Sequence, residues 1–199
     1  MSSAVVVYGF ETSNNMKVRV ALGYKGIAYE FRSIDPKDRE EIRRISGQFL
    51  TPVLVHGERV VSDSAAILRY LDAEFSDTPH LFGDSHAQQW EIEDWEFFAR
   101  VDLARPMMEV VHLKVYGKEV GAELMQRCST NFAEAVTKLA AKMSGQAWLV
   151  GERMSAADIT AAAVLTRVQN AELFPLPAAM SELASWQNRV MHFDGEMRA

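Results

Sequence analysis

The chain segment between positions 51 and 67 holds the residues whose types and spacing are best suited to chemistry. Thr51 precedes Pro52, and a residue before a proline is restricted to an extended backbone. The sequence leaves open whether the Thr51–Pro52 peptide bond is cis or trans. An extended Thr51 whose backbone N–H and C=O lie outside a sheet ladder is able to pair with the backbone of a bound peptide. The sequence therefore predicts a peptide-pairing position at Thr51.

Later in the same segment, Ser62, Asp63 and Ser64 precede an apolar run and predict the start of a helix. The free N–H groups and the positive dipole end of a helix start favour a carboxylate, and the Asp63 carboxylate favours an ammonium. A small ligand with a peptide bond, a free carboxylate and a free amine would use Thr51 and both of these features, and glutathione is such a ligand. The alternative is that Asp63 and Ser64 only cap the helix.

The composition narrows the class of protein. The chain has 199 residues, of which 48% are hydrophobic and 24% charged, as is typical of a globular protein of one large or two small domains. Its formal charge is −6 and no run of Lys and Arg exceeds two residues, which argues against a nucleic-acid partner. No apolar stretch reaches the roughly 20 residues that cross a bilayer, so no membrane partner is expected.

Cysteine and histidine usage exclude two further kinds of site. The single cysteine, Cys128, rules out an internal disulfide and a paired-cysteine redox motif. Together with the absence of a visible signal peptide, it makes a cytoplasmic location the expectation. His56 and His112 have no partner ligands at metal-binding spacing, so no metal site is predicted.

Two regions of different secondary structure are expected. In the first, strands at 5–10 and 29–34 flank a helix at 17–25, and a hairpin with its turn at His56 and Gly57 leads into the helix after Ser62. This order is β-α-β followed by β-β-α. The second region has only helical patterns, at 86–115, 120–143, 157–172 and 183–191, with Pro106 expected to kink or end the first of them. We therefore expect an α/β domain at 1–76, a linker at 77–86 and an all-α domain at 87–199.

Three motifs together resemble the cytosolic glutathione transferase family. The stretch from Thr51 to Leu54 is similar to the cis-proline strand start of that family, and the stretch from Asp63 to Leu71 is similar to its acidic-Ser-x-Ala-Ile glutathione motif. The stretch from Leu149 to Ile159 is similar to its Leu-x-Gly and Ser-x-Ala-Asp-Ile segment, in which Ser155 and Asp158 also predict a structural capping box at a helix start. The resemblance implies an N-terminal thioredoxin-like domain, a C-terminal helical bundle and a two-fold homodimer. It also implies a cytoplasmic enzyme of detoxification that uses glutathione as co-substrate and needs no cofactor.

The resemblance also assigns the thiol site. In this family the loop between the first strand and the first helix carries the group that stabilises the thiolate. Here Thr12 lies where many members carry the catalytic Ser, Thr or Cys, with Ser13 as the second choice and Asn14 as a further contact. The loop has no cysteine, so it is of the bacterial Ser/Thr type and mixed-disulfide chemistry is not expected. The alternative is that Thr12 or Ser13 is an ordinary helix cap.

The predicted function is conjugation of the glutathione thiolate to a small hydrophobic electrophile. The alternatives are a glutathione-dependent peroxidase, disulfide reductase or ether-cleaving enzyme, or a non-catalytic binding protein with the same fold. The usual lysine before the proline is missing, so Gln48, Lys37 or Arg39 is considered for the glycyl carboxylate. The glutathione contacts implied by the resemblance are Asn14, Gln48, Thr51, Pro52, Asp63 and Ser64, and the hydrophobic pocket is assigned to Phe10, Met107, Met108 and Val111, with core packing as the alternative for the methionines.

Overall fold

The computed structural model describes residues 4–115 and 117–198. The chain divides into two compact units. One unit, called the sheet unit below, consists of Met1–Phe82 together with Met191–Ala199. The other, called the helical unit, consists of Gly83–Val190. The predicted domains differ from this division mainly at the C-terminal segment, which the prediction had placed with the helices.

The sheet unit is built on four short strands, three of which are rich in valine. They are β1 (Val5–Gly9), β2 (Tyr29–Ser33), β3 (Val53–His56) and β4 (Arg59–Ser62), in the spatial order β2-β1-β3-β4. β1 runs parallel to β2 and antiparallel to β3, and β3 pairs antiparallel with β4 across a turn at Gly57 and Glu58. The β-α-β and β-β-α order expected from the sequence is confirmed.

Three helices complete this unit: α1 (Ser13–Tyr24), α2 (Glu40–Ser46) and α3 (Ser64–Glu74). α1 begins four positions before the predicted start, because Thr12 caps it and fixes the polar first turn as helix. α2 begins in the charged stretch from Pro36 to Arg44, whose sequence fits either a surface helix or irregular chain. Both α1 and α3 begin directly after loops that carry predicted site residues.

The C-terminal segment is held to α1 by an ion pair between a buried arginine and a half-buried aspartate. Arg19 donates from Nε to Asp194 Oδ1 across 2.6 Å and from its terminal nitrogen to Asp194 Oδ2 across 2.9 Å. The same guanidinium pairs with Glu11 at 3.2 Å. This bidentate geometry explains why the last residues associate with the sheet unit. Hydrophobic periodicity does not reveal such a long-range ion pair.

The helical unit contains α4 (His86–Phe98), α5 (Ala104–Val115), α6 (Ala122–Met143), α7 (Ala156–Asn170) and most of α8 (Met180–Met191). The single helix predicted over 86–115 is interrupted by a π-helical segment, Ala99–Leu103. There the N–H of Ala104 donates to the carbonyl of Ala99, five residues back. Pro106 has no N–H to offer the preceding turn, so the interruption lies just before it. No described helix is long and apolar enough to cross a membrane.

Asp158 organises the core of the helical unit. Its carboxylate is buried and accepts hydrogen bonds from the Leu149 N–H, the Ser155 N–H and hydroxyl, and the Trp186 indole. Burial raises the pKa of this carboxyl group, and the four donors act in the opposite direction. Because Ser155 and Asp158 form the capping box at the start of α7, this motif has a structural role, as the sequence indicates.

Candidate active site

Three segments that are distant in sequence meet in the sheet unit: the start of α1 with its N-cap, the loop before β3, and the start of α3. The side-chain amide of Asn15 donates to Thr51 Oγ1 across 3.2 Å, which joins the first two. The Ser64 hydroxyl donates to Asn14 Oδ1 across 3.3 Å, which joins the first and the third. The structure therefore brings together the predicted site residues of the α1 loop, the Thr51–Pro52 loop and the α3 start.

Thr12 is the N-cap of α1. Its backbone is extended, with φ −142° and ψ 159°. Its Oγ1 accepts the N–H of Asn15 at 3.2 Å and the side-chain amide of Asn15 at 2.7 Å. A threonine hydroxyl has two acceptor positions and one proton. Both acceptor positions are used by Asn15, so the proton of Thr12 remains for another acceptor, and capping is compatible with donation to a ligand.

Ser13 and Asn14 differ from Thr12 in exposure. Ser13 is the first residue of α1 and is buried, whereas Thr12 is half-buried and Asn14 is exposed. A donor to an incoming ligand atom needs access, which favours Thr12 over Ser13.

Burial raises the pKa of the Cys128 thiol in the helical unit, and the nearby Glu109 carboxylate raises it further, so this single cysteine has the character of an inert buried thiol.

The Thr51–Pro52 peptide bond is cis. Pro52 is buried and Thr51 is half-buried. The ladder between β1 and β3 ends at the pairing of Tyr8 with Val53, so Thr51 precedes the paired residues. This is the position outside the ladder that pairing with a ligand backbone requires.

The start of α3 combines a buried serine with an acidic cap in an unusual conformation. Asp63 has φ 73°, a region that residues other than glycine rarely adopt. Its Oδ1 accepts the N–H groups of Ala65 at 2.9 Å and Ala66 at 3.1 Å. Asp63 is therefore a helix cap, as the alternative interpretation held, and it also exposes its carboxylate at the positive end of the helix. Such a local strain is typical of functional sites.

The side chain of Gln48 is hydrogen-bonded within the loop that precedes β3. The Gln48 amide donates to Ser46 Oγ at 3.0 Å and to the Leu50 carbonyl at 2.9 Å, and its carbonyl oxygen accepts the Leu50 N–H. Through these contacts the Gln48 side chain stabilises the conformation of the loop. Leu50, 72% exposed, stands at the position where the resemblance expects a lysine.

Arg39 is a cation that is hydrogen-bonded to this loop. Its terminal nitrogen donates to the Phe49 carbonyl at 3.3 Å and its Nε to the Pro36 carbonyl at 2.9 Å. Its guanidinium lies 4.9 Å from the centroid of the Phe10 ring. Phe10, assigned to the hydrophobic pocket, is thus half-buried beneath a cation and packs against the cluster that contains Tyr8.

The three pocket residues assigned to α5 differ in exposure. Met107 is 2% exposed and belongs to the core of the helical unit, which favours core packing for this methionine. Met108 is 52% exposed and Val111 is half-buried. An exposed methionine beside a half-buried valine has the adaptable apolar character that suits varied hydrophobic ligands.

Asn15 is the site residue that sequence reasoning missed. It is fully buried, and its amide reaches both Thr12 and Thr51. Its partner in the second loop lies 36 positions away, so only the fold reveals the contact. In the sequence Asn15 precedes the predicted helix start at residue 17, so nothing local distinguished it from other polar residues of the loop.

Two family models match this chain, one in its N-terminal part and one in its C-terminal part. The model described as glutathione S-transferase, N-terminal domain matches residues 7–79. The model described as glutathione S-transferase, C-terminal domain matches residues 103–194.

Individual relatives agree with these matches. The zeta-class glutathione S-transferase of Euphorbia esula is 28% identical over 197 residues, covering 90% of this chain and 86% of the relative. A probable maleylacetoacetate isomerase of Vibrio cholerae serotype O1 is 26% identical over 187 residues, covering 87% of this chain and 84% of the relative. The solved structure of Ure2p in complex with glutathione has a TM-score of 0.82 at 18% identity and covers 95% of this chain and 94% of that one, which is a likeness of fold.

Proposed function

Because the chain belongs to the cytosolic glutathione S-transferase family, we propose that it conjugates glutathione to a small hydrophobic electrophile, with Thr12 as the donor to the thiolate. The observation that carries this assignment is the double acceptance of hydrogen bonds by Thr12 Oγ1 from Asn15. It leaves the hydroxyl proton available at the start of α1, where the helix dipole also favours an anion. No cofactor besides the co-substrate is part of the proposal.

In this proposal the tripeptide lies across the three joined segments. The backbone of Thr51 pairs with the cysteinyl residue, because Thr51 precedes the paired part of β3. The γ-glutamyl carboxylate takes the backbone N–H of Ser64 at the positive end of α3, and the Asp63 carboxylate takes the amine. The Ser64 hydroxyl reaches the same carboxylate when its single proton turns away from Asn14. The contact between Asn14 and Ser64 supports this arrangement, because it holds the two helix starts at one place.

For the glycyl carboxylate, we propose Arg39 in place of Gln48. The Gln48 amide is already bonded to Ser46 and Leu50, whereas the Arg39 guanidinium is held beside the same loop by the Phe49 carbonyl. A guanidinium has five donors, so two contacts to carbonyls leave others for a carboxylate. Phe10 remains the proposed apolar contact of the electrophile in the sheet unit.

The chemical step is a substitution or addition at carbon. The hydroxyl of Thr12 donates to the sulfur, which lowers the pKa of the thiol below its usual value of about 8.5 and increases the thiolate fraction at neutral pH. The thiolate forms a sulfur–carbon bond with the electrophile while a leaving group such as chloride departs with the electron pair. The thiol proton passes to solvent when glutathione binds.

The test uses chlorodinitrobenzene as electrophile at saturating glutathione. Thr12→Val keeps the shape and removes the hydroxyl, so kcat should fall by roughly tenfold or more, and Thr12→Ser should restore most of it. Ser13→Ala is the neighbouring control and should stay near wild type. A Thr12→Val variant with wild-type kcat and wild-type KM for glutathione would show that the donor is another group.

A second candidate reaction is glutathione-dependent isomerisation of a maleyl-type double bond. It is favoured by the similarity to the zeta-class relative and to the probable maleylacetoacetate isomerase. The same thiolate would add to the double bond and leave after rotation about the resulting single bond. Assays with maleylacetone, a peroxide and an aryl ether, run beside chlorodinitrobenzene, separate this reaction from conjugation, reduction and ether cleavage.

We also propose a homodimer, as the family resemblance implies. Light scattering coupled to size-exclusion chromatography tests it directly, because a mass near twice that of the 22.3 kDa chain is expected. A mass equal to one chain at micromolar concentration would contradict it.

A further inference from the structure

We propose that Asn15 is a positioning residue that directs the hydroxyl proton of Thr12 towards the ligand sulfur and couples it to Thr51. This inference rests on the proposed role of Thr12. It goes further by naming the group that makes a threonine at a helix cap an effective donor. Asn15 itself touches neither the sulfur nor the electrophile in this account.

Among the described residues, the hydrogen bonds of the Asn15 side chain go to these two hydroxyl groups. Its side-chain nitrogen lies 2.7 Å from Thr12 Oγ1 and 3.2 Å from Thr51 Oγ1, and its backbone N–H lies 3.2 Å from Thr12 Oγ1. The residue is 0% exposed, so water does not compete for these bonds. One side chain therefore fixes both the thiol donor and the residue that pairs with the cysteinyl backbone.

The hydrogen bonds that Thr12 Oγ1 accepts determine where its own proton can point. An N-cap threonine usually accepts one helix N–H and keeps a second lone pair, and its proton turns to whatever acceptor is nearest. Here the second acceptor position is filled by the amide of Asn15. The hydroxyl is then left with donation as its only unused capacity, which is the property that stabilises a thiolate.

The oxygen of the Asn15 amide is the unfavourable part of this arrangement. Asn15 Oδ1 is buried and has no hydrogen-bond partner among the described residues. A buried acceptor without a partner is unfavourable and calls for an explanation. The amide leaves its own oxygen unpaired and applies its nitrogen to two hydroxyl groups, as a positioning role requires.

Gly9, the last residue of β1, makes room for this oxygen. A Cβ added at position 9 would lie 1.6 Å from Asn15 Oδ1, a distance that no real contact allows. Gly9→Ala is therefore expected to displace the amide without altering Asn15, Thr12 or Thr51. It provides a second and chemically independent way to break the same contacts.

The measurement is the pKa of the glutathione thiol in the complex, from the ultraviolet absorbance of the thiolate as a function of pH. Asn15→Asp is nearly isosteric but only accepts hydrogen bonds when ionised, so it should take the proton of Thr12. We expect a rise in the thiol pKa of about one unit, similar to that of Thr12→Val. Asn15→Ala and Gly9→Ala should each raise it in part, and exposed Asn188→Asp on α8 should leave it unchanged.

The added charge of aspartate is separated from positioning by a double-mutant cycle. The acid adjacent to Thr12, Glu11, is already ion-paired with Arg19, and its contribution is common to all variants. If Asn15→Asp acts through the Thr12 hydroxyl, its effect should vanish in the Thr12→Val background. A purely Coulombic effect would persist there unchanged.

The outcomes distinguish this inference from the proposed function. If Thr12→Val raises the thiol pKa but Asn15→Asp does not, or shifts it equally in both backgrounds, the positioning role of Asn15 is wrong and the donor role of Thr12 stands. If Thr12→Val itself leaves the thiol pKa unchanged, the assignment of the donor fails first. Should Asn15→Asp not fold, Asn15→Ala and Gly9→Ala decide the question by the same measurement, and wild-type pKa values in both would overturn the inference.

Discussion

Ser64 donates its hydroxyl proton to Asn14 Oδ1 across 3.3 Å, although 50 positions separate the two residues in the chain. The bond joins the first turn of α3 to the first turn of α1. Two helix starts, each with a positive dipole end, are thereby held in one place. This arrangement offers one anion-binding position for a carboxylate and another for a thiolate in the same site.

Ser64→Ala should weaken glutathione binding. The change removes a proposed donor to the γ-glutamyl carboxylate and also the link to Asn14, so a loss in affinity of about tenfold is expected. Isothermal titration calorimetry with reduced glutathione measures it, and exposed Ser185→Ala on α8 is the matched control. Equal affinities for all three proteins would remove Ser64 from the binding site.

Arg39→Gln should weaken binding of glutathione and leave binding of its glycyl ethyl ester unchanged. The ester lacks the carboxylate that Arg39 is proposed to meet, so the variant loses nothing with that ligand. We expect roughly a tenfold loss for glutathione alone, in keeping with a charge-assisted hydrogen bond. Arg44→Gln, exposed on α2, serves as control. If Arg39→Gln reduces affinity for both ligands to the same degree, Arg39 stabilises the loop and does not bind the glycyl carboxylate.

Asp194→Ala should destabilise the sheet unit. It leaves the buried Arg19 without its bidentate partner, and Glu11 is the remaining acid of this cluster. A decrease in the free energy of unfolding of about 2–4 kcal/mol is expected. Urea denaturation measures it, and exposed Asp77→Ala provides the comparison. A loss no greater than that of the comparison variant would mean that the C-terminal segment contributes little to this unit.

Tyr29 gives the protein a defined pH dependence of stability. Burial raises the pKa of Tyr29 to about 12, and its hydroxyl has no hydrogen-bond partner among the described residues. The unfolded chain therefore loses this proton near pH 10 while the folded protein retains it, so stability falls as pH rises from about 10 to about 12.

Tyr29→Phe removes this titration. Between about pH 10 and 12, wild type should lose roughly 1–3 kcal/mol more stability than the variant. Below about pH 9 the variant should be equal to wild type or slightly more stable, because it no longer buries an unpaired hydroxyl. Denaturation curves at several pH values test both statements, and parallel losses in the two proteins would contradict the assigned shift.

Local patterns predicted most of the fold and only part of the site. The valine-rich strands, the helix start at Asp63 and the capping box at Ser155 each depend on neighbours in sequence, and each was predicted. The missed features depend on distant contacts: the bridge from Asn15 to Thr51 and the pairing of Arg19 with Asp194. The positive φ of Asp63 was also beyond local patterns, since propensity alone disfavours it.

The assignment of Gln48 shows why residue type alone is not enough. An amide before the cis-proline strand is chemically able to bind a carboxylate, which made it a reasonable candidate. Its donors are bonded to Ser46 and Leu50, a pattern that depends on the backbone turn of the loop. Met107 is a similar case, because its helical position permits both a pocket and a core role and only its burial favours the core.

The pH dependence of kcat/KM for chlorodinitrobenzene at saturating glutathione tests the central claim most directly, namely that the Thr12 hydroxyl stabilises the bound thiolate. For wild type and Thr12→Ser the profile should rise with an apparent pKa clearly below the value of about 8.5 for a free thiol. For Thr12→Val it should move up towards that value, with the maximal rate at high pH largely preserved. A Thr12→Val profile that superimposes on that of wild type would contradict the account.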